Sequence, residues 1–192
     1  MSEEKVAIIG GTGDLGFGLA LRWASAGVSV VIGSREAAKA EAAAAKVLAR
    51  LGELSAKQQG CLGSVTGVEN GQAAAQAAAV VLTVPFPAQM GILKSIRAAL
   101  GSAKDGILQG RILVDATVPL AATVGGKPTR LLGVWQGSAA EQARELVPPG
   151  VPVLAAFHNA SAGALEDLSL PLDCDILVCG DDAEAKKRFF PL

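Results

Sequence analysis

The chain has 192 residues, 51% of them hydrophobic but only 4% aromatic, and carries a formal charge of −1. That length is enough for one sizeable domain and too short for a full two-domain dehydrogenase. The near-neutral charge excludes a global basic field for nucleic acid or anionic membrane, and no apolar run approaches the length of a membrane span.

The acidic start, Ser2-Glu3-Glu4-Lys5, fits no signal peptide, so a cytoplasmic protein is expected. Val6–Ile9 is a short apolar run suited to a buried strand. Gly10-Gly-Thr-Gly-Asp-Leu-Gly16 follows at once and contains G-x-G-x-x-G at Gly11, Gly13 and Gly16. The three glycines serve a tight turn, backbone approach to a pyrophosphate, and close packing of helix on sheet. The helix behind them, Asp14 to Ala26, carries Leu15, Leu19 and Trp23 as one apolar stripe and stops at Gly27. Its amino end offers unpaired N–H groups and a positive dipole end to phosphates. Asp14 brings a carboxylate to this loop and is expected to cap the helix by accepting backbone N–H bonds.

Val28–Ile32 reads as the second strand. At its carboxyl end an NAD enzyme usually carries Asp or Glu for the ribose 2′-hydroxyl. Here Gly33-Ser34-Arg35 stands instead, with Lys39 one helical turn on. Without the carboxylate, a 2′-phosphate meets no repulsion. Arg35 grips it with a planar fork and Lys39 adds a point charge from the same face, so NADPH is expected rather than NADH. Ser34 either donates its hydroxyl or caps the helix that begins near Glu36.

Glu36 to Leu51 is a strong helix former ending at Gly52, and residues 53 to 63 read as a surface loop. Ser64–Glu69 is a short third strand, and Asn70 is placed to cap a helix over Gln72–Ala79. Ala79–Val84 is the fourth strand, halted by Pro85-Phe86-Pro87, with a helix over Ala88–Leu100 and a fifth strand at Arg111–Ala116. Thr83, Val84 and Pro85 lie where ligands sit in an open α/β sheet, just past a strand's carboxyl end and within reach of a nicotinamide ring. Pro119 ends the fifth strand's exit in the same way, as well suited to a terminator alone as to a ligand site. Ala121 to Gly137, bearing Lys127, Arg130 and Trp135, reads as an ordinary loop, with a lid or part of a second binding site as the alternatives. Ser138-Ala-Ala-Glu141 is a structural capping box for a helix that stops at Pro148-Pro149. Val151–Phe157 and Asp175–Gly180 are the sixth and seventh strands. The fold class is therefore α/β: one Rossmann-type, doubly wound, mostly parallel sheet with helices on both faces, as a single domain over residues 1–192.

Cys61, Cys174 and Cys179 form no C-x-x-C or Cys/His cluster, and one histidine leaves a zinc site short of ligands, so no metal is expected. The odd count, with two cysteines beside an apolar strand, points to buried, reduced thiols. The lone histidine, His158, follows the sixth strand immediately, among the small polar residues Asn159 and Ser161. At a strand's carboxyl end it is as well suited to function as to structure.

As an ordered set these motifs resemble the NADPH-dependent reductases of the deazaflavin coenzyme F-420 (8-hydroxy-5-deazaflavin). The resemblance runs from Val6 to about Arg188. It rests on Gly10-Gly-Thr-Gly-Asp-Leu-Gly16, Gly33-Ser-Arg35 with Lys39, Leu82-Thr-Val-Pro85, Ser138-Ala-Ala-Glu141, Phe157-His158-Asn159 and Val178-Cys-Gly-Asp-Asp-Ala-Glu-Ala-Lys-Lys187. It implies reversible hydride transfer between NADP(H) and the deazaflavin, with Thr12, Ser34, Arg35 and Lys39 on NADP and His158 beside the deazaflavin ring. It also implies C-terminal helices that help wall the deazaflavin pocket and build a dimer contact. The chain, which ends at Phe189-Phe190-Pro191-Leu192, is expected to lack them and to expose apolar surface there; a homodimer stays open.

Hydride transfer asks for two rings held face to face at about 3–3.5 Å with water excluded. The residues expected to bind the cofactor are Gly11, Thr12, Gly13, Asp14, Leu15, Gly16, Ser34, Arg35, Lys39, Thr83, Val84 and Pro85. His158 is expected to orient the acceptor ring by a hydrogen bond, with no obligatory acid–base role. Two alternatives stand beside this one: reduction of another acceptor (a flavin, a metal chelate or a small imine), or an NADP(H)-binding module without turnover.

Overall fold

In the computed structural model, which describes residues 4–55, 62–101 and 111–191, seven strands form one sheet. They are β1 (Lys5–Ile9), β2 (Ser29–Ser34), β3 (Val65–Glu69), β4 (Ala79–Leu82), β5 (Ile112–Asp115), β6 (Val153–Ala156) and β7 (Val178–Cys179), in the order β3-β2-β1-β4-β5-β6-β7. All pairings are parallel except β6 with β7. Strands buried on both faces read as continuous apolar runs, as β1 does. Val6 and Ile8 face one core while Ala7 and Ile9 face the other.

The first core is covered by α1 (Asp14–Ser25), α2 (Ala37–Ser55), α6 (Ala162–Glu166) and α7 (Ala183–Phe189). The second lies under α3 (Asn70–Gln76), α4 (Phe86–Gly101) and α5 (Ala139–Leu146). Every parallel crossover thus returns over one face or the other, and the order reverses between β1 and β4. That reversal opens a crevice at the carboxyl ends of the strands, where ligands bind in such sheets.

Several boundaries differ from those expected. β2 runs on through Gly33 and Ser34, because Gly33 pairs with both Ile9 and Val68. Helix α2 continues past Gly52 to Ser55, so residues 53–55 are helical rather than loop. A Cβ at Gly52 would meet nothing within 4 Å, so that glycine marks no close approach. Helix α4 begins at Phe86, since Pro87 falls in a first turn that needs no donor from it. The outer strands are shorter than their apolar runs. The Ala121–Gly137 connection opens with a 3-10 turn at Ala121–Val124 and leaves Trp135 98% exposed.

The cysteines also depart from expectation. Cys174 and Cys179 are exposed, not buried: Cys179 lies on β7, a two-residue strand at the edge of the sheet, and Cys174 in the irregular segment before it; Cys61 lies outside the described residues. The apolar C-terminal surface is only half as expected. Phe189 is buried, packing edge-on against Phe157 at 6.0 Å, which in turn meets Trp23 at 5.6 Å, while Phe190 remains 64% exposed.

Candidate functional site

A cleft of about 410 Å³ opens at the carboxyl ends of β1, β2 and β4. Its walls come from the glycine turn (Gly10, Thr12, Gly13), from the exit of β2 (Ser34, Arg35, Glu36, Lys39) and from the exit of β4 (Thr83, Val84, Pro85). Asn70, Ala88 and Ile92 complete it. Most of the residues expected from sequence to bind a cofactor therefore meet in one place. Gly11, Asp14, Leu15 and Gly16 are not part of its walls.

The turn is built somewhat differently from the expected division of labour. Gly10, ahead of the motif, takes the left-handed conformation (φ +86°), and a Cβ there would lie 2.7 Å from Val84 Cγ1. Gly11 instead packs tightly over β1 and β2, with Ile32 and the Ile8 carbonyl about its missing side chain. Gly13 is the N-cap of α1 and, alone of these, has room for a Cβ within the protein, the nearest atom being 3.5 Å away. What its bareness keeps open is the cleft. Gly16 is where helix meets turn: a Cβ would fall 2.6 Å from Gly11 Cα and 2.7 Å from Thr83 Oγ1. Asp14 does not cap the helix, because the cap position belongs to Gly13, which has no side chain to offer. Asp14 sits instead in the first turn, exposed, where the dipole favours a negative charge. Leu15 turns into the protein and packs against the core.

At the exit of β2, Ser34 Oγ accepts a bond from the Glu36 N–H at 3.4 Å. This is the helix-entry role, and it leaves the hydroxyl proton available to a ligand. Arg35 is exposed, with no ion pair among the described residues. Lys39 holds Glu36 at 2.7 Å across one helical turn. Both partners are about two-thirds exposed, so the pair is weak and readily gives way to a phosphate. On the opposite wall, Thr83 is fixed to β1 twice, through its N–H and its hydroxyl, both bonded to the Ile9 carbonyl. Val84 is thereby held against Gly10.

His158 stands apart from this cleft. Phe157 adopts φ +70° at the end of β6, anchored by its ring between Trp23 and Phe189, and the reversal leaves His158 exposed. Close to it lies a buried polar network that the sequence reading missed. Asp115, at the end of β5, is fully buried. Its carboxylate accepts bonds from Gln89 Nε2 (2.8 Å), from the Thr117 N–H (3.2 Å) and from the Thr117 hydroxyl (3.1 Å). Gln142 Nε2 donates to Gln89 Oε1 at 2.6 Å. Burial pushes the Asp115 carboxyl above its ordinary range, while the Thr117 and Gln89 bonds and the charge of nearby His158 pull it back. The one signal in the sequence was an aspartate closing an apolar strand, Ile112-Leu-Val-Asp115.

No group of three His, Cys, Asp or Glu residues suited to a metal exists among the described residues, and no described helix is long and apolar enough to cross a membrane.

Comparison with known proteins settles the lineage. Residues 5–119 match the family model described as NADP oxidoreductase, coenzyme F420-dependent. The chain belongs to that family. It is 49% identical over 182 residues to the F420-dependent NADP reductase of Methanothermobacter thermautotrophicus, covering 94% of this chain and 72% of that protein. The protein of the same name from Methanocaldococcus jannaschii is 44% identical over 183 residues, covering 95% of this chain and 75% of the relative.

Solved structures with the same fold are more distant in sequence. Glycerol-3-phosphate dehydrogenase of Coxiella burnetii aligns at TM-score 0.60 with 16% identity, covering 98% of this chain and 50% of that one. Plasmodium falciparum pyrroline carboxylate reductase aligns at 0.56 with 14% identity, covering 98% and 53%. The chain thus spans about half the length of these structural neighbours and nearly three-quarters of its family relatives.

Proposed function

We propose that this protein is an NADPH-dependent oxidoreductase that moves a hydride between NADP(H) and the deazaflavin coenzyme F-420. Family membership and the names of the relatives support the reaction. The single structural observation that carries the cofactor choice is at the exit of β2. Arg35, with no ion pair among the described residues, and a loosely held Lys39 stand there, with Ser34 in the position where a ribose-binding carboxylate would repel a 2′-phosphate.

The residues fit the group. Gly13 leaves the cradle open over the amino end of α1, where backbone N–H groups face a pyrophosphate. Arg35, Lys39 and the Ser34 hydroxyl take the 2′-phosphate. Val84 and Pro85, with Thr83 locked to Ile9, form the wall for the nicotinamide end. When bound, NADPH supplies a hydride that passes directly to the deazaflavin ring, so the protein's part is positioning and exclusion of water. His158, held out from the sheet by the reversal at Phe157, orients the acceptor ring by hydrogen bonding. The setting that goes with this reading is a single nucleotide-binding domain in the cytoplasm, working on small-molecule co-substrates, with a homodimer as its assembly. The formal charge of −1 argues against nucleic acid as a partner.

The test is to follow loss of the deazaflavin's visible absorbance with NADPH or NADH as donor, for the protein and for Arg35→Ala. Turnover with NADPH, and a drop of roughly 30-fold in kcat/KM for NADPH alone in the variant, is expected. Equal losses with both donors would remove the phosphate role. NADPH binding without any absorbance change would point to another acceptor or to a binding module without turnover.

A further inference from the structure

Asn70 is 3% exposed, and its side-chain oxygen is buried with no hydrogen-bond partner. Among the described residues it is the one side-chain polar atom in that state. Buried polar groups are ordinarily satisfied, and one left bare in a folded protein asks for an explanation. Helix capping is not the explanation. The cap of α3 is Glu69, whose carboxylate accepts the Gly71 N–H at 2.7 Å. Asn70 is instead inside the first turn, aimed under β2. A Cβ at Gly33 would come within 3.0 Å of Asn70 Oδ1, and Asn70 is part of the cleft wall.

Its place in the cleft says which end of a ligand it meets. Glu69 pairs in register with Ser34, so Asn70 lies beside the Ser34–Arg35 exit, across the turn from Thr83 and Val84. This is the adenosine side, not the nicotinamide side. Chemistry narrows the partner further. Oδ1 only accepts, and ionised phosphate oxygens also only accept, so the bare oxygen cannot serve the 2′-phosphate. The donors available on that half of the cofactor are the ribose 3′-hydroxyl and the exocyclic amine of adenine.

We propose that Asn70 is a binding residue for the adenosine half of NADP(H), accepting a hydrogen bond from one of these two donors. The inference rests on the NADP(H) reading given above and adds to it the recognition of the nucleoside next to the phosphate clamp. Gly33 belongs to the same device: the absence of a side chain there is what lets the asparagine reach in from the α3 face.

The experiment is calorimetric titration of the protein and of Asn70→Ala with 2′,5′-ADP, NADPH and the hypoxanthine analogue of NADPH, together with thermal unfolding of both without ligand. The expected result is a loss of roughly tenfold in affinity for 2′,5′-ADP and NADPH, with the unfolding temperature of the unliganded variant unchanged or raised. If the amine is the donor, the original protein already binds the hypoxanthine analogue about tenfold more weakly and the variant loses nothing further. If the hydroxyl is the donor, the variant loses the same factor with both dinucleotides. Affinities within twofold of the original, or a lowered unfolding temperature with affinity intact, would overturn the proposal and leave Asn70 a structural residue. Failure of the unsubstituted protein to bind 2′,5′-ADP or NADPH would instead overturn the NADP(H) reading itself, and the proposal with it.

Discussion

Lys39 Nζ sits 2.7 Å from Glu36 Oε1, so one of the two cations assigned to the 2′-phosphate already holds a carboxylate. Arg35, immediately before Glu36 in sequence, holds none among the described residues. The proposed phosphate clamp is therefore one ready group and one that must be released. Because the pair is exposed, release costs at most about 1 kcal/mol.

Removing the competitor should help binding. Glu36→Gln keeps the shape, frees Lys39 and deletes a charge that faces the phosphate. NADPH is expected to bind roughly threefold more tightly at low salt, with the gain fading as salt screens it. NADH should bind unchanged. Fluorescence titration at two ionic strengths checks both statements.

Gly13 and Gly16 belong to the same motif but should respond differently to a methyl group. At Gly16 the new Cβ would fall 2.6 Å from Gly11 Cα and 2.7 Å from Thr83 Oγ1. Gly16→Ala should therefore destabilise the fold by about 1–3 kcal/mol and weaken NADPH binding as a by-product. Gly13→Ala meets only an atom at 3.5 Å. It should melt close to the original temperature and still bind NADPH at least about tenfold more weakly, because the methyl occupies the ligand's space. Thermal melts with and without NADPH separate the two. A Gly13→Ala protein with full affinity would mean that the pyrophosphate does not cross this turn.

Asp115 gives the fold a pH signature. Its carboxyl is raised above the ordinary value of 3.8, first by burial. The folded state thus holds this proton more tightly than the unfolded chain does. The stabilisation from Asp115 is complete below the unfolded value and is lost as pH rises through the folded one. Denaturant midpoints of the protein against Asp115→Asn, taken from about pH 4 to about pH 7, should show the original losing stability relative to the variant as pH increases. A constant difference across that range would show that the carboxylate is already charged in the folded state at the bottom of it.

Arg22 fixes the segment that follows His158. Its guanidinium donates to the carbonyls of Leu165 (3.0 Å), Leu170 (3.1 Å), Ala164 (2.7 Å) and Asp167 (2.6 Å), all from helix α1 across to α6 and the turn beyond it. Arg22→Ala should cost about 1–2 kcal/mol, since water can serve the exposed carbonyls in part. Hydrogen exchange should accelerate over residues 161–170 while β1 and β2 stay protected. Hydride transfer should slow more than NADPH binding weakens, because the loosened segment follows shortly after His158 and contributes no wall of the nucleotide cleft.

Much of the cleft was readable because it is local. Gly10 to Gly16, Ser34, Arg35 and Lys39 lie within one strand–turn–helix–strand unit, and such a unit brings its loops together whatever the rest of the chain does. The misreadings share the opposite property. Asn70 looks like a helix cap in one dimension, yet Glu69 one residue earlier has the longer reach and takes the Gly71 N–H. Gly52 looks like a stop but falls inside α2, which runs on to Ser55. Phe189 looks like a loose apolar end until Phe157, thirty-odd residues earlier, is placed beneath it.

The sequence by itself determined the alternation of strand and helix, the glycine turn and the choice of a cationic exit after β2, since propensity, periodicity and turn chemistry act over a few residues. Only the tertiary structure decided which polar atoms are satisfied. Gln89 meets Asp115 and Gln142, Arg22 meets the carbonyls about α6, and Asn70 Oδ1 meets nothing. Each outcome depends on which helices and strands pack together, and at Asp115 and Asn70 burial also removes the water that would otherwise have bonded to them.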